Sequence, residues 1–264
     1  MRIRTELRLP KEHGAWAMLY VPFAIGALAG SCSWASATPL LLLFLSVTFI
    51  FVARESMLEW WRARGRGKQN RPALRTMLIY VGFAGLFGAP LLFMYQRLWL
   101  APLAVSIALL LAFNTWQAVR HEDRTVIGET VAILGLTLTA PAAYYVSGGA
   151  WNTRAWLLWV LCAMYFASSV FYVKLRVHSL NRRREELRRR SWRRCATYHL
   201  FLTAALVVLA STGSLDLFVL IAFTPVLART FWQLARPSGE ISLKRVGLLE
   251  IAYSLVFLVF LAIS

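Results

Sequence analysis

Nine long apolar runs govern what this chain can fold into: Gly14–Gly30, Pro39–Ala53, Thr76–Tyr95, Trp99–Val119, Gly128–Val146, Ala155–Val173, Cys195–Ser211, Leu215–Phe231 and Val246–Ile263. About twenty apolar residues cross the hydrocarbon core of a bilayer as a helix, and somewhat fewer suffice where the bilayer thins. Lipid offers the backbone no hydrogen-bond partners, so runs of this length fold as helices. The second run is short and is predicted to continue as helix to Trp61. Composition removes the alternatives. The chain is 59% hydrophobic and only 16% charged, where a soluble domain carries about 25% charged residues. A soluble enzyme and a disordered chain are both excluded. The net charge of +17 would suit a nucleic-acid binder, but no base-reading module accompanies it, and no nucleic-acid partner is expected.

The positive charge is sorted by loop. The amino-terminal segment, the loops after spans two, four and six, and the end of span eight with its loop hold 27 of the 29 Lys and Arg residues; only Arg97 and Arg154 fall on the other side. The positive-inside rule then sets the amino terminus in the cytoplasm and the carboxyl terminus outside. One span more or fewer would scramble the pattern. All eleven tryptophans fall near span ends, as an interfacial belt requires. Basic residues, an apolar run and Ala35-Ser36-Ala37 have the parts of a cleaved signal peptide. Eight more spans follow, however, and the run is long for a signal core. The prediction is an all-α, polytopic bundle of nine transmembrane helices. It forms a single domain over 1–264 in the cytoplasmic (inner) membrane, with cytoplasmic loops near 54–75 and 174–194. Cys32, Cys162 and Cys195 fall at different depths and include no CxxC pair, so no disulfide framework is expected.

Polar residues inside such helices are informative. Thr48, Glu55 and Glu59 share one face of span two; Asn114, Gln117 and His121 share one face of span four. Tyr165, Ser168, Ser169, Tyr172 and Arg176 share one face of span six. Each stripe runs toward the cytoplasmic end. Converging stripes would line a polar cavity open to the cytoplasm; hydrogen bonding between helices is the plainer alternative. His13, beside Glu12 where the first span enters the membrane, could point into the cavity mouth. Glu129 and Glu250 are expected in the first turns of the fifth and ninth helices, where the helix dipole favours a carboxylate. Pro141 and Pro225 interrupt spans five and eight and are expected to kink them. In the run Arg182-Arg183-Arg184-Glu185-Glu186-Leu187-Arg188-Arg189-Arg190, Glu185 is predicted to pair with Arg189 and Glu186 with Arg190. This exposed helix would face anionic lipid headgroups of the bilayer. No HxxxH or HExxH spacing supports a metal site.

Nine helices with large basic loops after the second and sixth resemble the UbiA superfamily of membrane prenyltransferases. Arg54-Glu55-Ser56-Met57-Leu58-Glu59 occupies the place of that family's first acidic motif. Asn70-Arg71-Pro72-Ala73-Leu74 is similar to the Asn-Arg-Pro-Leu-like element that follows it, and Gly128-Glu129-Thr130 resembles the start of its fifth helix. The opening Pro10-Lys11-Glu12-His13-Gly14-Ala15-Trp16-Ala17-Met18-Leu19 looks like the start of the YwiC-like bacterial membrane proteins. The UbiA resemblance implies a diphosphate held through Mg²⁺ by aspartates of two motifs. Here the chain departs. It has two aspartates in all, Asp123 and Asp216. The first motif is reduced to Glu55 and Glu59, which together could hold one cation or could pair with Arg54, Arg62 or Arg66. Where the second acidic motif should follow span six, Lys174 and Arg176 stand instead, and these could clamp a phosphate directly.

The expected function is therefore a cytoplasm-facing cavity that binds an isoprenoid or another anionic amphipathic lipid without the usual Mg²⁺-diphosphate motifs. One alternative is an active prenyltransferase with a metal-poor site, the only reading that calls for Mg²⁺. Another is a small transporter or an accessory protein of a respiratory or lipid-synthesis complex. No inverted repeat supports transport.

Overall fold

In the computed structural model every apolar run is helical. The structure describes residues 13–30, 33–120, 125–148, 150–179, 185–236 and 243–264, with His13, Leu243 and Lys244 described in their backbone alone. Among the described residues there are ten α-helices and no strand: α1 (His13–Ala29), α2 (Trp34–Gly65), α3 (Arg71–Phe93), α4 (Leu100–Val119), α5 (Val126–Thr137), α6 (Thr139–Val146), α7 (Thr153–Ser179), α8 (Glu185–Ser211), α9 (Leu217–Ala235) and α10 (Leu243–Ala262). Eight helical segments are long and apolar enough to cross a membrane, with α5 and α6 counted together as one, and α1 is a shorter apolar helix. Together they match the nine expected spans.

Several helices outrun their apolar cores. α2 has 32 residues, about 48 Å of helix, against about 30 Å of hydrocarbon. It passes Trp61 and stops at a glycine. Gly67 adopts φ +68°, where its N–H donates to the Arg64 carbonyl at 3.0 Å while the Lys68 N–H donates to the Ala63 carbonyl at 2.9 Å. This pair of bonds is a Schellman C-cap, which favours a residue without Cβ. α3 then starts under an Asn70 cap, whose side chain accepts from the Ala73 N–H at 3.1 Å, with Pro72 in its first turn.

The fifth span is two helices. Pro141 has no N–H to return to the Thr137 carbonyl, and the helix breaks at Leu138. The Thr139 hydroxyl is directed at both the Leu136 and Leu19 carbonyls, 2.9 Å from each, which ties the break to α1. α1 lies directly against this break. A Cβ on Gly26 would meet the Ala140 carbonyl oxygen at 2.0 Å, and one on Gly30 the Ser147 hydroxyl at 1.8 Å. Two glycines one turn apart thus allow α1 and α6 into near backbone contact.

The chain divides into two units, Met1–Trp159 and Val160–Ser264, with α7 contributing to both. In the first, α2 packs on α3, α1 on α6, and α4 on α5. Its core gathers Leu43, Leu91, Leu100, Leu103, Leu138 and Val146, and Phe49 stacks on Phe83 and Phe87 across α2 and α3. In the second, α9 packs on both α8 and α10, and Tyr165 stacks on Phe257 at 3.9 Å between ring centres.

One expectation is corrected here. Glu250 is not in a first turn: α10 begins at Leu243, so Glu250 is its eighth residue. The helix dipole acts within about one turn of the terminus, so it does not account for this carboxylate. Arg229 of α9 forms an ion pair with it instead. Glu129 does lie in the first turn of α5, under a Thr125 cap.

Candidate functional site

A cleft of about 110 Å³ runs through the first unit between α1, α2, α4, α5 and Thr139 of α6. Two parallel stripes build it. From α2 come Val47, Ile50, Phe51 and Arg54; from α4 come Ile107, Leu110, Leu111 and Asn114. Both stripes follow the i, i+3, i+4, i+7 spacing of one helix face, and both end on a polar residue after three apolar ones. Ala132, Gly135 and Leu136 of α5 close another side. The outcome is an apolar slot with a guanidinium at one end.

The polar end is a connected network. The Arg54 Nε and Nη2 donate to the Asn114 Oδ1 at 3.2 and 3.0 Å. Asn114 is buried, and its Nδ2 donates to the Gly128 carbonyl at 3.1 Å. The Arg54 Nη1 binds the Glu55 carboxylate at 3.1 Å. Three of the five N–H groups of Arg54 serve these bonds, so the guanidinium retains donors for an anionic oxygen. Bonds of this kind to a charged group contribute about 1.5–3 kcal/mol each, which keeps Arg54 in place within the cleft.

The second unit holds a separate buried cluster. The Arg229 guanidinium pairs with Glu250 and lies over the Tyr172 ring at 3.7 Å and the Tyr253 ring at 5.0 Å. Beside it, His199 is fully buried, with Nδ1 2.8 Å from the Cys195 carbonyl and Nε2 2.9 Å from the Ser168 hydroxyl. The carbonyl can only accept, so Nδ1 carries a proton. Cys162 and Cys195 are free buried thiols.

The sequence-predicted residues divide among these places. Asn114 lines the cleft, and Glu55 steadies Arg54 beside it. Thr48 hydrogen-bonds the Tyr20 hydroxyl at 3.0 Å, a bond between helices. Gln117 is buried outside the cleft lining, and Glu59 and Glu129 are half-buried. Asn70 caps α3, while Arg71 is exposed in a surface groove. Tyr165, Ser168, Ser169, Tyr172 and Arg176 are all buried, as one face of α7, and Lys174 is half-buried. His121, with Glu122 and Asp123, lies outside the described residues, as do the His13 side chain, Cys32 and Arg182 to Arg184. The Glu185–Arg189 and Glu186–Arg190 pairs form on the exposed start of α8.

Glu55 and Glu59 make a poor Mg²⁺ site: they offer two carboxylates, one of which is already held by Arg54. Among the described residues no group of three or more His, Cys, Asp or Glu side chains could hold a metal ion. Sequence reasoning missed Arg54, Arg229 and His199 as site residues. The available signal for Arg54 was its position three residues beyond Phe51 on the apolar stripe. For Arg229 it was an arginine inside an apolar run.

The fold and these buried polar networks define a multi-pass helical membrane protein. The chain belongs to the YwiC-like protein family, whose family model matches residues 9–144. It is 27% identical over 251 residues to the "Uncharacterized protein YwiC" of Bacillus subtilis (strain 168), covering 95% of each chain. It is 24% identical over 262 residues to an "Uncharacterized protein" of Haemophilus influenzae, covering 98% of this chain and 99% of the other. No solved structure matches it.

Proposed function

We propose that the protein binds an anionic amphipathic lipid, an isoprenoid or a molecule of similar build. The apolar chain enters the cleft of the first unit, and the anionic group meets Arg54 beside Asn114. The observation that carries this reading is the polarity of the slot: two apolar stripes that end together on a guanidinium held by an asparagine. A cleft of about 110 Å³ takes a segment of chain, and the remainder of the ligand lies in the bilayer. The nine-span layout supports a UbiA-like arrangement in the cytoplasmic membrane, and the loop charges support an amino terminus inside. Impermeant labelling of a terminal tag reads that orientation directly. Lys174 and Arg176, standing where acids would be needed, support binding without Mg²⁺-diphosphate chemistry.

The test is native mass spectrometry of the full chain purified in mild detergent. The wild type should carry a lipid adduct. Gly135→Leu, which fills the slot, and Arg54→Gln, which removes the cation, should each lose it while still eluting from size exclusion as folded protein. An adduct retained in both variants, or none in the wild type, overturns the reading. Release of diphosphate from labelled prenyl diphosphates, with or without Mg²⁺, would replace it with transferase chemistry.

A further inference from the structure

Two adjoining surface grooves lie at the corner between α2 and α3, and they share no residue with the cleft. The first, of about 520 Å³, is lined by Trp60, Arg64, Lys68 and Arg71 among its eight residues, none of them acidic. The second, of about 490 Å³, begins at Arg71 and Leu74 and continues over Arg75, Leu78 and Ile79. The numbers 71, 74, 75, 78 and 79 share one helix face. Polar and basic lining thus passes without a break into apolar lining along a single ridge of α3.

Depth fits the same division. From Trp34 to Trp60 is about 39 Å of helix, and the two tryptophans match the interfacial belts of a bilayer about 40–45 Å thick with its headgroups. Arg64, Lys68 and Arg71 lie just beyond Trp60, level with the lipid phosphates. Leu78 lies about 11 Å further along α3 from Arg71, level with the acyl chains. Leu78 and Ile79 are exposed, and α3 buries only 11% of its apolar stretch inside the protein, the smallest share among the eight long spans. This ridge therefore faces lipid.

The basic end is ordered. The Schellman cap at Gly67 fixes the course of the chain at Lys68. Arg64 sits over the Trp60 ring at 5.5 Å, and the Arg71 Nε donates to the Gln69 side chain at 3.3 Å. The Asn70 Oδ1 is occupied as the α3 cap, so the charges that the groove presents are all positive.

We propose that this groove is a binding site for an anionic phospholipid of the surrounding leaflet. The phosphate meets Arg64, Lys68 and Arg71, and one acyl chain lies along Leu74, Leu78 and Ile79. Charge complementarity selects the headgroup: three cations without a carboxylate favour a net anionic lipid over a zwitterionic one, whose own ammonium competes for its phosphate.

The test uses delipidated full-length protein in detergent. Phosphatidylglycerol and phosphatidylcholine with identical acyl chains are added in equal amounts, and bound lipid is counted by native mass spectrometry. The wild type should bind phosphatidylglycerol on the order of ten- to thirty-fold better. Lys68→Gln with Arg71→Gln should abolish the preference, whereas Lys68→Arg with Arg71→Lys should keep it. Arg189→Gln with Arg190→Gln, on the exposed start of α8, should also leave it intact. All three sets change exposed side chains, and equal melting temperatures in lipid-free detergent verify their folds. Millimolar glycerol phosphate should fail to displace the lipid, because it lacks the chain. Equal binding of the two lipids by the wild type, equal loss in the α8 variant, or displacement by glycerol phosphate would each overturn the proposal.

Discussion

At the residue scale, the arginines that fold back into the protein separate its interior chemistry from its surface charge. Arg229 and Glu250 are buried together in the second unit, with 9% and 15% of their side chains exposed. Removing one partner leaves an uncompensated buried charge, which costs about 3–5 kcal/mol, whereas replacing both with apolar residues is often neutral. Arg229→Ala should therefore melt well below the wild type in the same detergent, and Arg229→Leu with Glu250→Leu should recover most of the loss. A double variant less stable than the single would contradict this account. The sequence made the polar faces readable because a 3.6-residue period puts Tyr165, Ser168, Ser169, Tyr172 and Arg176 on one side of a helix, and all five are buried. It did not reveal their partners. A tally of charge by loop counts Arg54 and Arg229 with the surface, since it cannot see a long side chain turn back toward Asn114 or Glu250. Asn70 shows a structural task that the sequence did not announce. Its similarity to a family motif drew attention to a ligand role, and its side chain caps a helix.

At the element scale, the spans were legible and their ends were not. Hydropathy reports where lipid begins, while the helix continues until a cap or a proline stops it. Charged residues are good helix formers in water, so α2 runs on to Gly65 and α8 starts at Glu185. For the same reason α10 starts early enough to move Glu250 out of the first turn. The proline signal at Pro141 was sound, and the structure adds that α1 packs on the break it creates. That packing depends on the absence of a side chain. Gly26→Ala would set a methyl 2.0 Å from the Ala140 carbonyl, and overpacking of this kind costs about 1–3 kcal/mol. Gly82→Ala, with nothing within 4 Å of the new atom, should be neutral or slightly stabilising, since alanine is the better helix former. Paired thermal melts check the contrast, and equal effects at the two positions would refute the close α1–α6 approach.

At the scale of the whole molecule, an excess of positive charge on a highly apolar chain has a division of labour. Most of the basic residues are grouped in the amino-terminal segment and in alternate loops. Three groups stand apart: Arg54 at the end of an apolar slot, Arg229 inside the second unit, and Arg64, Lys68 and Arg71 in a surface groove. Arg54 and Arg229 each pair with one glutamate, whereas no acid lines the groove of Arg64, Lys68 and Arg71. The central claim is that an anionic amphipathic lipid lies in the cleft of the first unit, with its chain between α2 and α4. Photolabelling with a diazirine-bearing isoprenyl phosphate, followed by mapping of the modified residues, tests it most directly. The account predicts labels on Val47 to Phe51 of α2 and Ile107 to Leu111 of α4, competed by unlabelled isoprenyl phosphate and lost in Gly135→Leu. Labels confined to lipid-facing residues such as Leu78 and Leu86, unaffected by competitor, would contradict it.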